Sequence, residues 1–256
     1  MKGREPGTKI GKPSKEDTVA QLPDGMKITW LGHATFIVQG PDGKRYLIDP
    51  FVDSNPACPG DLKDVGKLDA ILVTHGHADH IADLVPIAKK TGAPVLCIVE
   101  IGAWLAGQGV DNVIAMNKGG SAQIAGITVH MTQAIHSGGI NLGDEIIYGG
   151  EPSGLVLEFS NGFKLYHAGD TAVFGDMALI AKLLAPDWAM LPIGDFYTMG
   201  PRSAAEAIRL LGVKTVIPMH YGTFPVLSGT PEQLADEAAD VSGLEIVAIG
   251  PGDSIG

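Results

Sequence analysis

Three features are scarce in this sequence: long apolar runs, clusters of basic residues and cysteine. No stretch approaches the roughly 20 consecutive apolar residues that a membrane-spanning helix needs. The opening MKGREPGTKIGKPSKEDTVAQLPDG has charges but no apolar centre, so it is not expected to act as a secretory signal. Two cysteines, Cys58 and Cys97, are too few and too isolated for a disulfide framework or a CxxC metal knuckle. They fit a reducing compartment, and a cytoplasmic location is expected. Cys97, in PVLCIVE, reads as a small core residue, and Cys58, in NPACPG, as a loop residue. With 18 Lys and Arg against 29 Asp and Glu, the formal charge is −11, and no basic run follows the first residues. Such a surface repels nucleic-acid phosphates, which leaves a small-molecule substrate as the expected partner, with self-association left open. Bound divalent cations would reverse the local field at a metal site.

What is present is a chain of 256 residues, 45% apolar and 18% charged, which suits a soluble globular protein. Residues 1–25 hold five basic and four acidic side chains with little periodicity and are expected to form a flexible tail. Residues 26–256 are expected to form one domain. There, short apolar runs such as KITWLGHATFIVQG and KRYLIDPF alternate with turn signals. LDAILVTH reads as a buried strand. DHIADLVPIAKKTGA follows with helical spacing and a glycine stop, and PVLCIVE and a short helix around IGAWLAGQG come next. The middle is β-rich. The last third alternates helices, at GDMALIAKLLA, PRSAAEAIRLLG and TPEQLADEAADVS, with strands at DWAMLPIG and KTVIPMHYG, and LEIVAIGPG closes the chain as a last strand. This order implies a layered α/β architecture with helices covering sheet.

The segment ILVTHGHADHIADLV, residues 71–85, crowds His75, His77, Asp79 and His80 into six positions. In extended backbone, residues two apart face one side, so His75 and His77 can hold one ion together. Gly76 and Ala78 are small enough for the backbone to bend around it. Asp79 and His80 then open a helix and face a second ion. His136, Asp170 and His220 each stand just past an apolar strand, where loops from one sheet edge can converge. Seven imidazole and carboxylate donors suit two zinc-like ions, each with an open position for water.

THGHADH matches the HxHxDH signature of the metallo-β-lactamase superfamily. With WLGHATF, LIDPF, EIIYGGEPSGLVLE, YHAGDT, LPIGDFYTMGP and IPMHYGTFP, the chain resembles its branch of metal-dependent hydrolases near the ascorbate-6-phosphate lactonases. The resemblance runs from about Met26 to the C-terminus and implies an αββα four-layer sandwich with the site at one edge. It implies that His75, His77 and His136 hold one metal, and that Asp79, His80 and His220 hold the other, with Asp170 bridging. It further suggests that Asp49, in LIDPF, orients a ligand histidine. His33, in the branch's GHAT pattern, is expected to contact substrate or shuttle a proton.

Tyr221 is a candidate donor to a substrate oxygen. His130 and His167 are expected to be ordinary polar loop residues. The helix opened by Pro201 offers amides for an anion, a weak signal because many helices start this way. The expected activity is metal-dependent hydrolysis of an ester, lactone or phosphodiester by a metal-bound hydroxide. Zn2+ is the expected metal, with Mn2+, Fe2+ or Ni2+ as alternatives, and Asp79 orients the nucleophile or takes its proton. The competing expectations are an iron-dependent redox enzyme on the same scaffold and a non-catalytic metal-binding protein.

Overall fold

The structure is a computed structural model, and it describes residues 21–256. Two seven-stranded mixed sheets form its centre. In the first, strands β1 (Lys27–Trp30), β2 (Phe36–Gln39) and β3 (Arg45–Ile48) form an antiparallel meander. It continues in parallel through β4 (Ala70–Leu72), β5 (Val95–Ile98) and β6 (Val113–Met116). The second repeats that plan. Strands β7 (Ser121–Ile124), β8 (Ile127–Gln133), β11 (Ser153–Glu158) and β12 (Lys164–His167) are antiparallel neighbours, and β13 (Trp188–Pro192), β14 (Thr215–Met219) and β15 (Glu245–Ile246) extend it in parallel. A separate hairpin joins β9 (Gly139–Asn141) to β10 (Ile146–Tyr148). Strand β16 (Ser254–Ile255) returns to pair with β1.

Parallel pairing requires crossover connections; that from β3 to β4 is a loop with a short 3-10 turn at Gly60–Leu62, and the others contain helices. In the first half these are α1 (Ala78–Ile81), α2 (Leu84–Thr91) and α3 (Val99–Gly107); in the second, α4 (Met177–Leu184), α5 (Pro201–Leu211) and α6 (Pro231–Glu237). Period-two alternation sends neighbouring side chains of one strand into different cores. Leu155, Leu157, Met190 and Ile217 pack with the first sheet. Val156, Ala189, Leu191 and Val216 pack with Ile180, Ala204, Ile208 and Leu234 of the second helical layer. Because both faces of these strands are covered, β5, β13 and β14 are buried at every position and read as unbroken apolar runs. The layers are those of the αββα sandwich. Helix α5 shows why its sequence folds as it does: Pro201 sits in its first turn, Ala204, Ala205, Ala207, Ile208 and Leu211 make one buried stripe, and Gly212 ends it at φ +65°.

Several expectations need correction. The single helix expected from DHIADLVPIAKKTGA is two, because the Asp83 amide donates to Pro50 O rather than continuing the helical ladder, and Pro86 has no amide to donate. The Asp83 carboxylate instead accepts from the Val52 and Ser54 amides. His130 and His167 are strand residues, not loop residues. His167 is completely buried, donating from Nε2 to Ala34 O and accepting the Gly169 amide at Nδ1. The closing segment is not one strand but the two-residue β15, with β16 crossing to the other sheet. Cys97 lies in β5 within the core, and Cys58 is a buried loop residue; both are free thiols. The expected tail lies outside the described residues up to position 20, and Leu22 packs against the core. No helix among the described residues is long and apolar enough to cross a membrane.

Candidate metal centre

The residues singled out in the sequence meet where strands of both sheets end. Asp49 follows β3, His75 follows β4, His136 follows β8, Asp170 follows β12 and His220 follows β14, while His33 follows β1. Crevices outside the carboxyl ends of strands are where open α/β sheets gather ligands. Three of these residues adopt left-handed backbone, His33 at φ +58°, Asp49 at +50° and His220 at +53°. Such conformations are costly for side-chain-bearing residues and persist where the surroundings impose them. Here the His33 carbonyl is fixed by the His220 amide at 2.9 Å and by Trp30 Nε1 at 2.9 Å, which locks the two loops together.

Two groups of four donors result. In one, His75, His77, His136 and Asp170 bring one ligand atom each within 4.8 Å of one another; in the other, His33, Asp79, His80 and His220 do the same. Asp170 stands between them. Its Oδ2 lies 3.9 Å from His75 Nε2, 3.5 Å from His136 Nε2, 3.3 Å from His80 Nε2 and 3.0 Å from His220 Nε2. The His77 Nδ1 atom is 3.0 Å from His75 Nε2 and 3.2 Å from His136 Nε2.

Hydrogen bonds behind these rings decide which nitrogen keeps its lone pair. Asp49 accepts the Thr74 amide at 2.8 Å on one oxygen, and the Thr74 hydroxyl at 2.7 Å and His80 Nδ1 at 2.8 Å on the other. A carboxylate only accepts, so His80 Nδ1 keeps its proton, and Nε2, toward Asp170, is the nitrogen that can offer a lone pair to a cation. With its own hydrogen given to Asp49, the Thr74 oxygen, 3.0 Å from His75 Nδ1, accepts from that ring, and His75 Nε2 is likewise freed. Ser137 Oγ, 3.1 Å from His77 Nε2, leaves His77 Nδ1 pointing inward. Asp49 therefore sits where the resemblance suggested, on a histidine. Thr74 and Ser137 were not foreseen; their only sequence signal is adjacency to His75 and His136.

The electrostatics agree with a site built around missing positive charge. Burial alone would raise Asp170, but His220 and His80 hold it well below the usual carboxylate range. Burial likewise acts to raise Asp79, and the adjacent His220 ring, 3.8 Å away, and the hydrogen bond from His33 outweigh it and hold it low. Burial opposes charge on His220, yet Asp170 pushes it up to about 9, and Asp170 and Asp49 raise His80 in the same way. Burial lowers His75, His77 and His136. Buried atoms without a hydrogen-bond partner include Asp170 Oδ1, His80 Nε2 and both ring nitrogens of His220. Leaving so many buried polar atoms unpaired is expensive unless something binds them. Lone pairs from imidazoles and a shared carboxylate fit borderline divalent cations such as zinc.

His33 lies beside the site, as expected, but behind Asp79. It is fully buried, lies outside the lining of the cleft, and its Nε2 is 2.9 Å from Asp79 Oδ2. Burial pushes its pKa down to about 4, so the neutral ring donates Nε2–H to Asp79 rather than meeting substrate. Tyr221 also lies off the cleft lining, half-buried with its ring stacked on Trp30 at 5.3 Å. Close to the start of α5 stands the protein's own Asp195, within 3.1–3.3 Å of where a methyl group at Gly200 would lie, and its carboxylate disfavours a second anion there. Gly76 is small for a different reason from the expected one. A Cβ there would meet Ile140 Cγ1 at 2.7 Å and Gly138 O at 3.0 Å, so the glycine lets the β9 segment pack on the histidine loop. A cleft of about 960 Å³ opens over the centre, with His77, Asp79, His136 and Asp170 on its floor.

An αββα sandwich with two adjoining His/Asp clusters at its strand ends defines a metal-dependent hydrolase scaffold. Residues 44–221 match the family described as the beta-lactamase superfamily domain. A UPF0173 metal-dependent hydrolase of Rubrobacter xylanophilus is 53% identical over 240 residues, covering 93% of this chain and 99% of that one. Another, of Koribacter versatilis, is 58% identical over 210 residues, covering 82% and 90%. Among solved structures, a metallo hydrolase from the hyperthermophilic archaeon Ignicoccus hospitalis KIN4/I superposes with a TM-score of 0.80 at 35% identity, covering 90% of this chain and 97% of that one. The chain belongs to the β-lactamase superfamily, within its UPF0173 metal-dependent hydrolases.

Proposed function

We propose that this hydrolase works with two divalent cations, zinc foremost, and cleaves an ester, lactone or phosphodiester bond of a small substrate. The observation that carries the reading is Asp170: one oxygen within 3.0–3.9 Å of four imidazole Nε2 atoms and the other buried without a partner. A carboxylate so placed is suited to lie between two cations, His75, His77 and His136 holding one and Asp79, His80 and His220 the other. Bound there, the cations supply Lewis acidity and lower the pKa of a coordinated water to near 7.

The protein's own groups supply the rest. Asp49 and Thr74 fix the tautomers of His80 and His75, and Ser137 holds the His77 ring with Nδ1 inward. Asp79, ionised and pinned by His33, is a weak base; it orients the attacking water in preference to removing its proton. Two unpaired buried cysteines support a cytoplasmic setting.

The test is a panel of carboxylic esters, lactones and phosphodiesters, assayed with and without chelator, beside metal analysis of the protein as purified. Chelator-sensitive turnover restored by zinc is expected. Iron with a visible chromophore and no hydrolysis would move the reading to redox chemistry, and no metal-dependent turnover on any member would contradict it.

A further inference from the structure

The two ends of the cleft differ in chemistry. Over the His33–Asp79 end stand Phe51 and Phe224, whose rings flank His33 edge-on at centroid distances of 5.7 and 5.4 Å, with Val226 beside them. Over the His77–His136 end stands the Ser137 hydroxyl. At the mouth Tyr197 lines the cleft, 56% exposed, with the Phe196 ring against it at 4.7 Å. That mouth is held by strained backbone: Asp195 and Phe196 are consecutive left-handed residues at φ +64° and +60°. A bulky residue is an outlier in that region, and the Asp195 amide bonded to Met199 O and the Met199 amide bonded to Thr171 O hold the loop in it. Two exposed aromatic rings kept at a cleft entrance against such a cost point to a ligand that covers them.

The cleft also lacks counter-charge. Among the described residues that line it there is no lysine or arginine. At the nearby start of α5 the Asp195 side chain stands close to Gly200, so a negative charge is already there. A phosphate or carboxylate on the non-reacting part of a substrate would be taken from water into an apolar wall with nothing to pair it. Cations on the floor would serve the scissile group, not a distant charge.

We propose that the substrate is an uncharged carboxylic ester or lactone that carries an aromatic or branched apolar group. That group rests on Phe51, Tyr197, Phe224 and Val226, and the polar end lies toward Ser137. The proposal rests on the metal-centre reading above and narrows its substrate class. It places a substrate with a remote phosphate or carboxylate outside the range of the site.

Hydroxamic acids test this without turnover, because one metal-binding headgroup can carry different tails. Acetohydroxamate, benzohydroxamate and 4-carboxybenzohydroxamate are titrated into the metal-loaded protein by calorimetry. Benzohydroxamate is expected to bind about tenfold or more tightly than acetohydroxamate, as covering one phenyl ring implies. The added carboxylate should cancel that gain. Phe224→Ala should collapse the ratio between the benzo and aceto compounds. Val226→Arg, at a position 42% exposed, should invert the preference toward the carboxylated one. Equal affinities for all three, or tighter binding of the carboxylated compound to the unaltered protein, would overturn the substrate class while leaving the metal centre standing. If none of the three binds, the metal-centre reading fails and the proposal falls with it.

Discussion

Asparagine in place of Asp49 probes the centre through a residue that touches neither water nor cleft. Asp49 is completely buried and receives three hydrogen bonds, from the Thr74 amide, the Thr74 hydroxyl and His80 Nδ1. Asparagine keeps the shape but turns one acceptor into a donor. With the new amide nitrogen on the Oδ2 side it faces the His80 Nδ1 proton. The ring then relieves the clash by moving its proton to Nε2, the atom that points at Asp170. With the amide nitrogen on the other side it faces the Thr74 backbone amide and loses that bond. Either choice leaves a buried donor unmatched, at a cost of about 1–3 kcal/mol. The first also removes the lone pair of His80. Groups that orient a ligand histidine are worth roughly 10–100-fold in metal affinity, or about 1.4–2.7 kcal/mol. Competition against a chromophoric chelator should therefore show one of two bound ions weakened by that factor and the other retained, with long-range proton–nitrogen NMR reporting the His80 tautomer. If both affinities stay within about twofold of the unaltered protein, outside the range expected for such a group, the tautomer argument is wrong.

Three further outcomes follow from the same geometry. Asparagine tolerates left-handed backbone, so His33→Asn should fold and keep its metal while turnover drops about 10–100-fold, because Asp79 loses its anchor; loss of one ion on metal analysis would instead make His33 a ligand. Gly76→Ala should lower the urea midpoint by the equivalent of about 1–3 kcal/mol through overpacking against Ile140 and Gly138; an unchanged midpoint would show that the β9 segment gives way freely.

The metal-free protein should be most stable near pH 6.5. His33, pushed down to about 4, and the lowered His75, His77 and His136 are neutral when folded and take up protons on unfolding, so their contribution is lost as pH falls below 6.5. His220, raised to about 9, and the raised His80 contribute below pH 6.5, and that contribution is lost as pH rises toward 9. Denaturant midpoints that climb steadily from pH 6 to pH 9 would contradict the charge pattern assigned to the centre.

How much of this was legible in the sequence depended on whether the physics was local. His75, His77, Asp79 and His80 are nearly contiguous, and His136, Asp170 and His220 each follow an apolar strand, so one segment and three strand ends were enough to assemble the donor set. The two-core sandwich was foreshadowed by apolar runs buried on both faces, such as β13 and β14. Contacts made only by tertiary packing were not legible. The His33 motif placed it near the site, to contact substrate or shuttle a proton, but its burial behind Asp79 depends on the His33 and His220 loops locking together. Tyr221, next to His220, turned onto Trp30 for a similar reason. Two-residue strands such as β15 and β16 carry no periodicity to read, and the break between α1 and α2 depends on where one amide of Asp83 finds its acceptor.

The central claim is that two cations share Asp170, and metal content in Asp170→Asn beside the unaltered protein tests it most directly. Asparagine keeps the size but removes the charge from between the two donor groups, and its amide nitrogen is a donor that cannot coordinate. The account predicts two ions per chain in the unaltered protein and close to one in the variant, with far-UV circular dichroism unchanged. Two tightly held ions in Asp170→Asn, or a single ion in the unaltered protein, would contradict it.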